Sequence, residues 1–149
     1  MKFVVYLRRD FSRFMTVRLI SNIMLAAAML LPAGAFAQDK GYDVFTPIAK
    51  YMANGDADRL SAWFADNLEI TIFSTSNDSS SNQARQIMKS FFKSFTPRSF
   101  DISHKAGRSN MKYALGTLNA GGEMFLVTIF VNFKDDDYKI QQIKIERLD

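Results

Sequence analysis

His104 and Tyr113 are the two side chains best suited to acid–base chemistry in this chain, and His104 is its only histidine. Strand alternation over 99–106 puts His104 on the same inward face as Phe100 and Ile102. A histidine on an apolar face is either a general base tuned by burial or a core histidine, hydrogen-bonded here to Tyr113 across neighbouring strands. One titratable residue is not a catalytic constellation, so the core interpretation is favoured and no catalytic residue is assigned.

The acidic residues are weaker candidates. Asp101 alternates outward with Ser103 and Lys105, which makes it a poor general base. The three adjacent carboxylates of 135–137 fall in a hairpin turn and do not converge on one ion, whereas a calcium loop spaces its ligands and adds a glutamate. The chain has no cysteine, no glycine-rich phosphate loop and no zinc motif. The sequence therefore predicts neither a metal site nor a cofactor.

Aromatic residues supply the candidates for binding. Apolar residues between Ala84 and Phe95 recur at i, i+3, i+4, i+7 and i+11, the spacing of one helical face, and they include Phe91. The predicted pocket lining consists of the aromatic residues Tyr51, Trp63, Phe91, Phe95, His104 and Tyr113. Aromatic residues at helical spacing also fill cores, so a pocket and a plain core both stay open.

The elements that would position these side chains are mostly helices in the first half of residues 43–148 and only strands in the second half. The N-terminal half predicts, in order, a helix over 43–54, a helix over 56–66 with Leu60, Trp63 and Phe64 inward, a strand over 68–75, a polar loop over 77–81 and a helix from Ser80 to Pro97. The second half predicts four strands, over 99–106, 111–118, 123–133 and 138–148, with a β-bulge at Gln141–Gln142. Short turns join these strands, so they form an antiparallel meander. This order favours an α+β fold with helices on one face of the sheet.

The most apolar strand is 123–133. Its alternate residues Phe125, Val127, Ile129, Val131 and Phe133 share one face, and Leu126 and Phe130 lie on the other. A strand that is apolar on both sides is central in its sheet or lies at a subunit interface. A homodimer that forms through the sheet is therefore one expected partner arrangement.

The α-α-β-α-β-β-β-β order resembles the nuclear transport factor 2-like (cystatin-like) superfamily. More narrowly, the chain resembles a family of short exported proteins of unknown function from Bacteroidetes-type bacteria. The segments that carry the resemblance are Asn54–Asp58 with Leu60, Phe64–Asn67, Gln83-Ala84 with Phe91-Phe92, Phe100 with His104 and Gly107, Tyr113 with Gly116–Leu118, and Ile140–Gln142 with Ile145-Glu146. Leu126 stands where similar proteins carry an arginine. The resemblance implies a sheet that wraps around three helices as a cone with a cavity, in which some superfamily members are isomerases, dehydratases or cyclases.

Residues 1–37 have the features of a signal peptide. Arg18 precedes an apolar run over 23–31, and Ala35-Phe36-Ala37 is a cleavage pattern, so cleavage is expected after Ala37. The leader is long, and either Met1 or Met15 is the start. The run is far shorter than the ~20 apolar residues of a spanning helix, so no membrane anchor is expected after cleavage.

The charge is unevenly distributed. Residues 1–37 hold a net charge of +4, and residues 38–149 hold 14 basic and 14 acidic residues. A neutral mature chain argues against nucleic acid as a partner. Residues 38–149 are expected to form a single domain.

The leading hypothesis is an exported, periplasmic or secreted, non-enzymatic domain. It would bind a small apolar ligand in the cone or a protein partner on the sheet. The alternative is an isomerase- or dehydratase-like enzyme that uses His104 and Tyr113 in the cone cavity.

Overall fold

The structure, a computed structural model, describes residues 43–149, so the predicted signal peptide lies outside the described residues. Three helices and six strands occur in this order: α1 Phe45–Asn54, α2 Ala57–Ser61, β1 Phe64–Ile72, β2 Thr75–Ser80, α3 Ser81–Ser94, β3 Pro97–Arg108, β4 Met111–Ala120, β5 Glu123–Lys134 and β6 Asp137–Arg147. All strands form one sheet in the order β2-β1-β6-β5-β4-β3. Within 43–149 no helix has both the length and the apolarity to cross a membrane.

Capping residues define the start of α3 and the end of α1. At α3 the backbone N–H of Gln83 donates to the Ser80 hydroxyl, and the Gln83 side chain accepts from the Ser80 N–H, which is the predicted capping box. Gly55 ends α1 in the left-handed conformation, with φ 63°. These caps fix the ends of the two longest helices.

The core lies between the helices and one face of the sheet. Phe125, Val127, Ile129 and Val131 of β5 are fully buried, which confirms the predicted face, whereas Phe133 is 41% exposed. Ile48, Met52 and Met88 of the helices are also fully buried. The α+β class, the four-strand meander and the central place of β5 are confirmed. The predicted bulge is present too, because Phe130 pairs with Gln142 and Val131 with Ile140, which leaves Gln141 as the extra residue.

Two predicted elements between α1 and α3 are wrong. The second helix ends at Ser61 rather than Asp66, because the Trp63 carbonyl accepts from the Ile140 N–H at 2.6 Å and Phe64 begins a strand beside β6. The polar segment predicted as a loop over 77–81 is largely the edge strand β2. Its serine, asparagine and aspartate residues carry no apolar alternation, and only pairing with β1 makes them a strand.

The sheet therefore has six strands, and one neighbouring pair is not antiparallel. β1 runs parallel to β6, with Ile70 opposite Ile143. This pairing joins the two ends of the described chain, and local sequence patterns carry no signal for it.

A bulge in β3 exchanges the two faces of that strand. Ile102 pairs with Gly116 and His104 with Leu115, so Ser103 is an extra residue. His104 therefore lies on the outer face and is exposed, and the inward position predicted for it is wrong. Lys105, predicted to face outward, instead forms an ion pair with Asp43 at the start of α1.

This ion pair gives a first prediction for stability. Burial acts to raise the pKa of Asp43, but hydrogen bonds from Lys105 and from the Phe45 N–H outweigh it and hold the pKa below the usual 3.8. Asp43→Asn is expected to lower the free energy of unfolding by about 0.5–1 kcal/mol at pH 7, since it weakens the hydrogen bond from the Phe45 N–H and an exposed ion pair.

The pH dependence of that loss has a definite sign. A lowered folded pKa stabilises the protein above the unfolded pKa, and the stabilisation disappears as the pH falls through the folded value. The gap between wild type and Asp43→Asn in urea denaturation should therefore close below about pH 4. Lys105→Met should reproduce the loss at pH 7. A gap of constant size from pH 7 to pH 3 would contradict this account.

Candidate functional site

The structure separates the six residues predicted to line one pocket. Phe91 of α3 and Phe95, the residue that follows this helix, lie together with ring centroids 5.1 Å apart. Tyr51 and Trp63 are half-buried and pack against the core. The remaining two, His104 and Tyr113, lie on the outer face of the sheet. The cone interior itself is filled by core side chains, so the candidate for binding is a surface groove beside Phe91 and Phe95.

The aromatic groove, lined by Phe73, Phe91 and Phe95, lies between α3 and the turn that joins β1 to β2, and its volume is about 450 Å³. The Phe73 ring centroid is 6.5 Å from that of Phe91 and 6.1 Å from that of Phe95. Phe125 supports these rings from the core, 5.4 Å from Phe91 and 5.1 Å from Phe95. The other lining residues are Ile72, Gln86, Ile87, Ser90 and Ser94. None of the eight lining side chains is charged, so the groove suits an apolar ligand body.

Phe73 is the groove residue that sequence reasoning missed. It follows β1 with φ 58°, a left-handed conformation that is an outlier for a bulky residue and costs about 1–3 kcal/mol. Its backbone N–H donates to the Ile145 carbonyl at 2.8 Å, which holds the turn against β6. The guanidinium carbon of Arg147 stands 4.2 Å from the Phe73 ring centroid. Phe73 lies within a segment predicted as continuous strand, and that pattern cannot reveal a left-handed turn.

His104 and Tyr113 meet on the outer face. The Tyr113 hydroxyl is 3.4 Å from His104 Nε2, so the predicted pairing across neighbouring strands is present. Their ring centroids are 5.8 Å apart, and Phe130 extends the row 5.6 Å beyond Tyr113. This row lies in the open on the sheet surface and not in a cone cavity. The arrangement that the enzyme alternative requires, a histidine base at an enclosed cavity, is therefore absent from residues 43–149.

Glu69 is a titratable residue with a structural role. Hydrogen bonds from the Ser76 hydroxyl, at 2.8 Å, and from Thr71 lower the pKa of Glu69, although desolvation opposes them. The three residues tie β2 to β1 on the outer face. Within 43–149 no three histidine, aspartate or glutamate side chains are placed to hold a metal ion.

A larger open cleft, of about 800 Å³, lies at the other end of β1. It forms where β1 departs from β6, because the six residues of β1 from Phe64 to Glu69 span the same interval as the three residues of β6 from Ile140 to Gln142. Its Lys139 already pairs with Asp137 at 3.2 Å and donates to the Ala62 carbonyl at 2.9 Å. The cleft is lined mainly by polar side chains, two lysines and three aspartates among them, whereas no charged side chain lines the aromatic groove, so the aromatic groove is the better candidate for an apolar ligand.

Comparison with known proteins identifies the family and the fold of this chain. The family profile described as "Domain of unknown function (DUF4783)" matches residues 45–146. The crystal structure of a DUF4783 family protein from Bacteroides uniformis is similar to this chain with a TM-score of 0.70 and 23% identity, covering 72% of this chain and 99% of the other.

More distant structures share the fold as well. A domain of unknown function with a cystatin-like fold from Nostoc punctiforme matches with a TM-score of 0.56 and 12% identity, over 68% of this chain and 71% of the other. A protein of the NTF2-like family from Streptomyces avermitilis matches with a TM-score of 0.54 and 12% identity, over 70% and 90%. Among curated proteins no sequence matches. The resemblance seen in the sequence is confirmed at the level of family and fold.

Proposed function

Since this chain belongs to the DUF4783 family and has a nuclear transport factor 2-like fold, we propose from its own geometry that it is an exported, non-enzymatic binding domain. Its ligand is a small apolar molecule that lies in the aromatic groove. The observation that carries the proposal is the surface groove at Phe73 and Phe95, whose rings are half-buried, with Phe91, only 5% exposed, as the third lining ring.

The physical argument is burial of apolar surface. A ligand that covers these rings removes apolar area from water, at about 25 cal/mol per Å². The fully buried Phe125 packs against the Phe91 and Phe95 rings from the core, so the groove is largely preformed and little ordering is needed on binding. A non-enzymatic role is favoured because the groove is lined by neutral side chains, and His104 and Tyr113 lie on the outer face.

Two further parts of the proposal come from the sequence. Export depends on the features of residues 1–37, and we keep cleavage after Ala37 as part of the proposal. Self-association through the outer face of the sheet stays a prediction, and the half-buried row of Tyr113 and Phe130 is the surface it would use.

Filling the groove is the direct test of binding. Ser90 is an exposed lining residue of α3, and Ser90→Trp puts an indole into the groove without altering the core. Titration with Nile red, a neutral dye that fluoresces in apolar sites, should give an affinity about tenfold weaker for this variant than for wild type, equivalent to about 1.4 kcal/mol.

Lys93→Trp is the matched control, because Lys93 is exposed on the same helix and does not line the groove. It should bind the dye like wild type, and both variants should keep the thermal midpoint of the parent to within a few degrees. Wild-type protein that fails to bind the dye, or equal binding by Ser90→Trp and wild type, would contradict the proposal.

A further inference from the structure

We propose that the ligand of the aromatic groove is an apolar acid, whose carboxylate is bound by Arg147 while its apolar body covers the phenylalanine rings. This inference rests on the proposed function, which names only an apolar ligand. It adds a chemical class and a residue that recognises it.

Arg147 lies beside the groove and is not one of its eight lining residues. Its guanidinium carbon is 4.2 Å from the centroid of Phe73 and 5.8 Å from that of Phe95, two of the three rings that line the groove. Arg147 is also half exposed, so solvent and ligand can reach it. It is the described cation in contact with both of these rings, and the lining itself holds no charge that would compete with it.

A position over an aromatic ring leaves the donors of Arg147 available to a ligand. A guanidinium that lies over an aromatic ring uses its face, and its N–H groups point outward in the plane of the group. Those N–H groups form a fork that matches a carboxylate in two parallel hydrogen bonds. A lysine in this place would offer a point charge without that geometry.

Arg147 is only weakly engaged by the protein's own acids. Its Nε is 3.6 Å from Glu123 Oε1, longer than a charge-assisted hydrogen bond, and both side chains are about half exposed. An exposed ion pair of this kind is worth little, so a ligand carboxylate competes with Glu123 at small cost.

Phe73 provides an independent observation. Its ring supports both the groove and the guanidinium, and its backbone is held in a strained left-handed conformation to place it there. Strain of this kind persists where the surroundings enforce it, here through the Ile145 carbonyl and the neighbouring rings. The strained turn thus brings a cation and an apolar surface together at one site.

The test compares two ligands of nearly the same size and shape, of which one carries a carboxylate and the other a neutral amide. Naphthalene-2-acetate and naphthalene-2-acetamide share one ring system, and calorimetric titration at pH 7 measures their affinities for the full-length protein. We expect the acid to bind wild type about fivefold more tightly than the amide, as an exposed ion pair allows. Arg147→Gln should bind both ligands with the affinity that wild type has for the amide, which also shows that its groove is intact.

Two further variants sharpen the outcome. Glu123→Gln removes the competing carboxylate and should strengthen binding of the acid about twofold while the amide is unaffected. Arg108→Gln, an exposed arginine outside the groove, should match wild type for both ligands. Equal affinity of wild type for acid and amide would overturn the role of Arg147 but leave the apolar groove standing. Failure of both ligands to bind would overturn the proposed function as well.

Discussion

Gly116→Ala is expected to lower the free energy of unfolding by about 1–3 kcal/mol, the usual cost of overpacking a core. A Cβ at position 116 would fall 2.6 Å from two ring atoms of Phe100 and 3.0 Å from the Asp101 carbonyl. Phe100 is only 7% exposed and lies on the neighbouring strand, so its ring cannot swing into solvent. Gly116 is not among the residues with positive φ, so its backbone conformation does not require glycine. The lack of space for a Cβ does.

A double-mutant cycle in urea isolates this contact. Phe100→Leu removes the ring atoms that the new methyl group would strike, so Gly116→Ala should cost clearly less in that background. If the alanine destabilised both backgrounds equally, the clash with Phe100 would not be its cause. The carbonyl of Asp101 would then be the alternative obstacle, because it is untouched by Phe100→Leu.

The strands β3 and β5 show where alternation in the sequence predicts side-chain direction and where it does not. Alternation is reliable where pairing is regular, and the core face of β5 from Phe125 to Val131 follows it residue by residue. In β3 the prediction from alternation fails after Ile102, because the bulged residue Ser103 moves the side chains that follow to the opposite face. Neither Ser103 nor His104 carries a local signal for that bulge, since it arises from pairing with β4.

The bulge in β6 was predictable for the opposite reason. Ile140, Ile143 and Ile145 are all core residues, and their spacing breaks alternation visibly in the sequence. A bulge between two apolar stretches therefore breaks the apolar alternation visibly. The bulge at Ser103 lies among polar residues, so the sequence shows no such break. The candidate site shares this limit: Phe91 could be predicted from helical spacing, but the turn of Phe73 and its approach to Arg147 depend on contacts between distant segments.

Phe125→Ala is expected to give the largest loss of stability, about 3–5 kcal/mol, as for other buried phenylalanines. Phe125 is fully buried, and its ring lies 6.0 Å from Phe73, 5.4 Å from Phe91 and 5.1 Å from Phe95. Truncation leaves a cavity beneath the groove and removes the contacts of Phe125 with all three groove rings. The urea midpoint should fall accordingly, and Nile red affinity should fall with it.

Phe130→Ala is the matched control, on the same strand and with the same atoms removed. Phe130 faces outward and is only half-buried, with Tyr113 as its ring neighbour at 5.6 Å. Its loss should cost about 1 kcal/mol, the scale of a cross-strand pair on an open face. Equal losses for the two variants would mean that the outer face is covered in solution. A concentration-dependent midpoint for wild type, abolished by Phe130→Ala, would then identify a second copy of the chain as the cover.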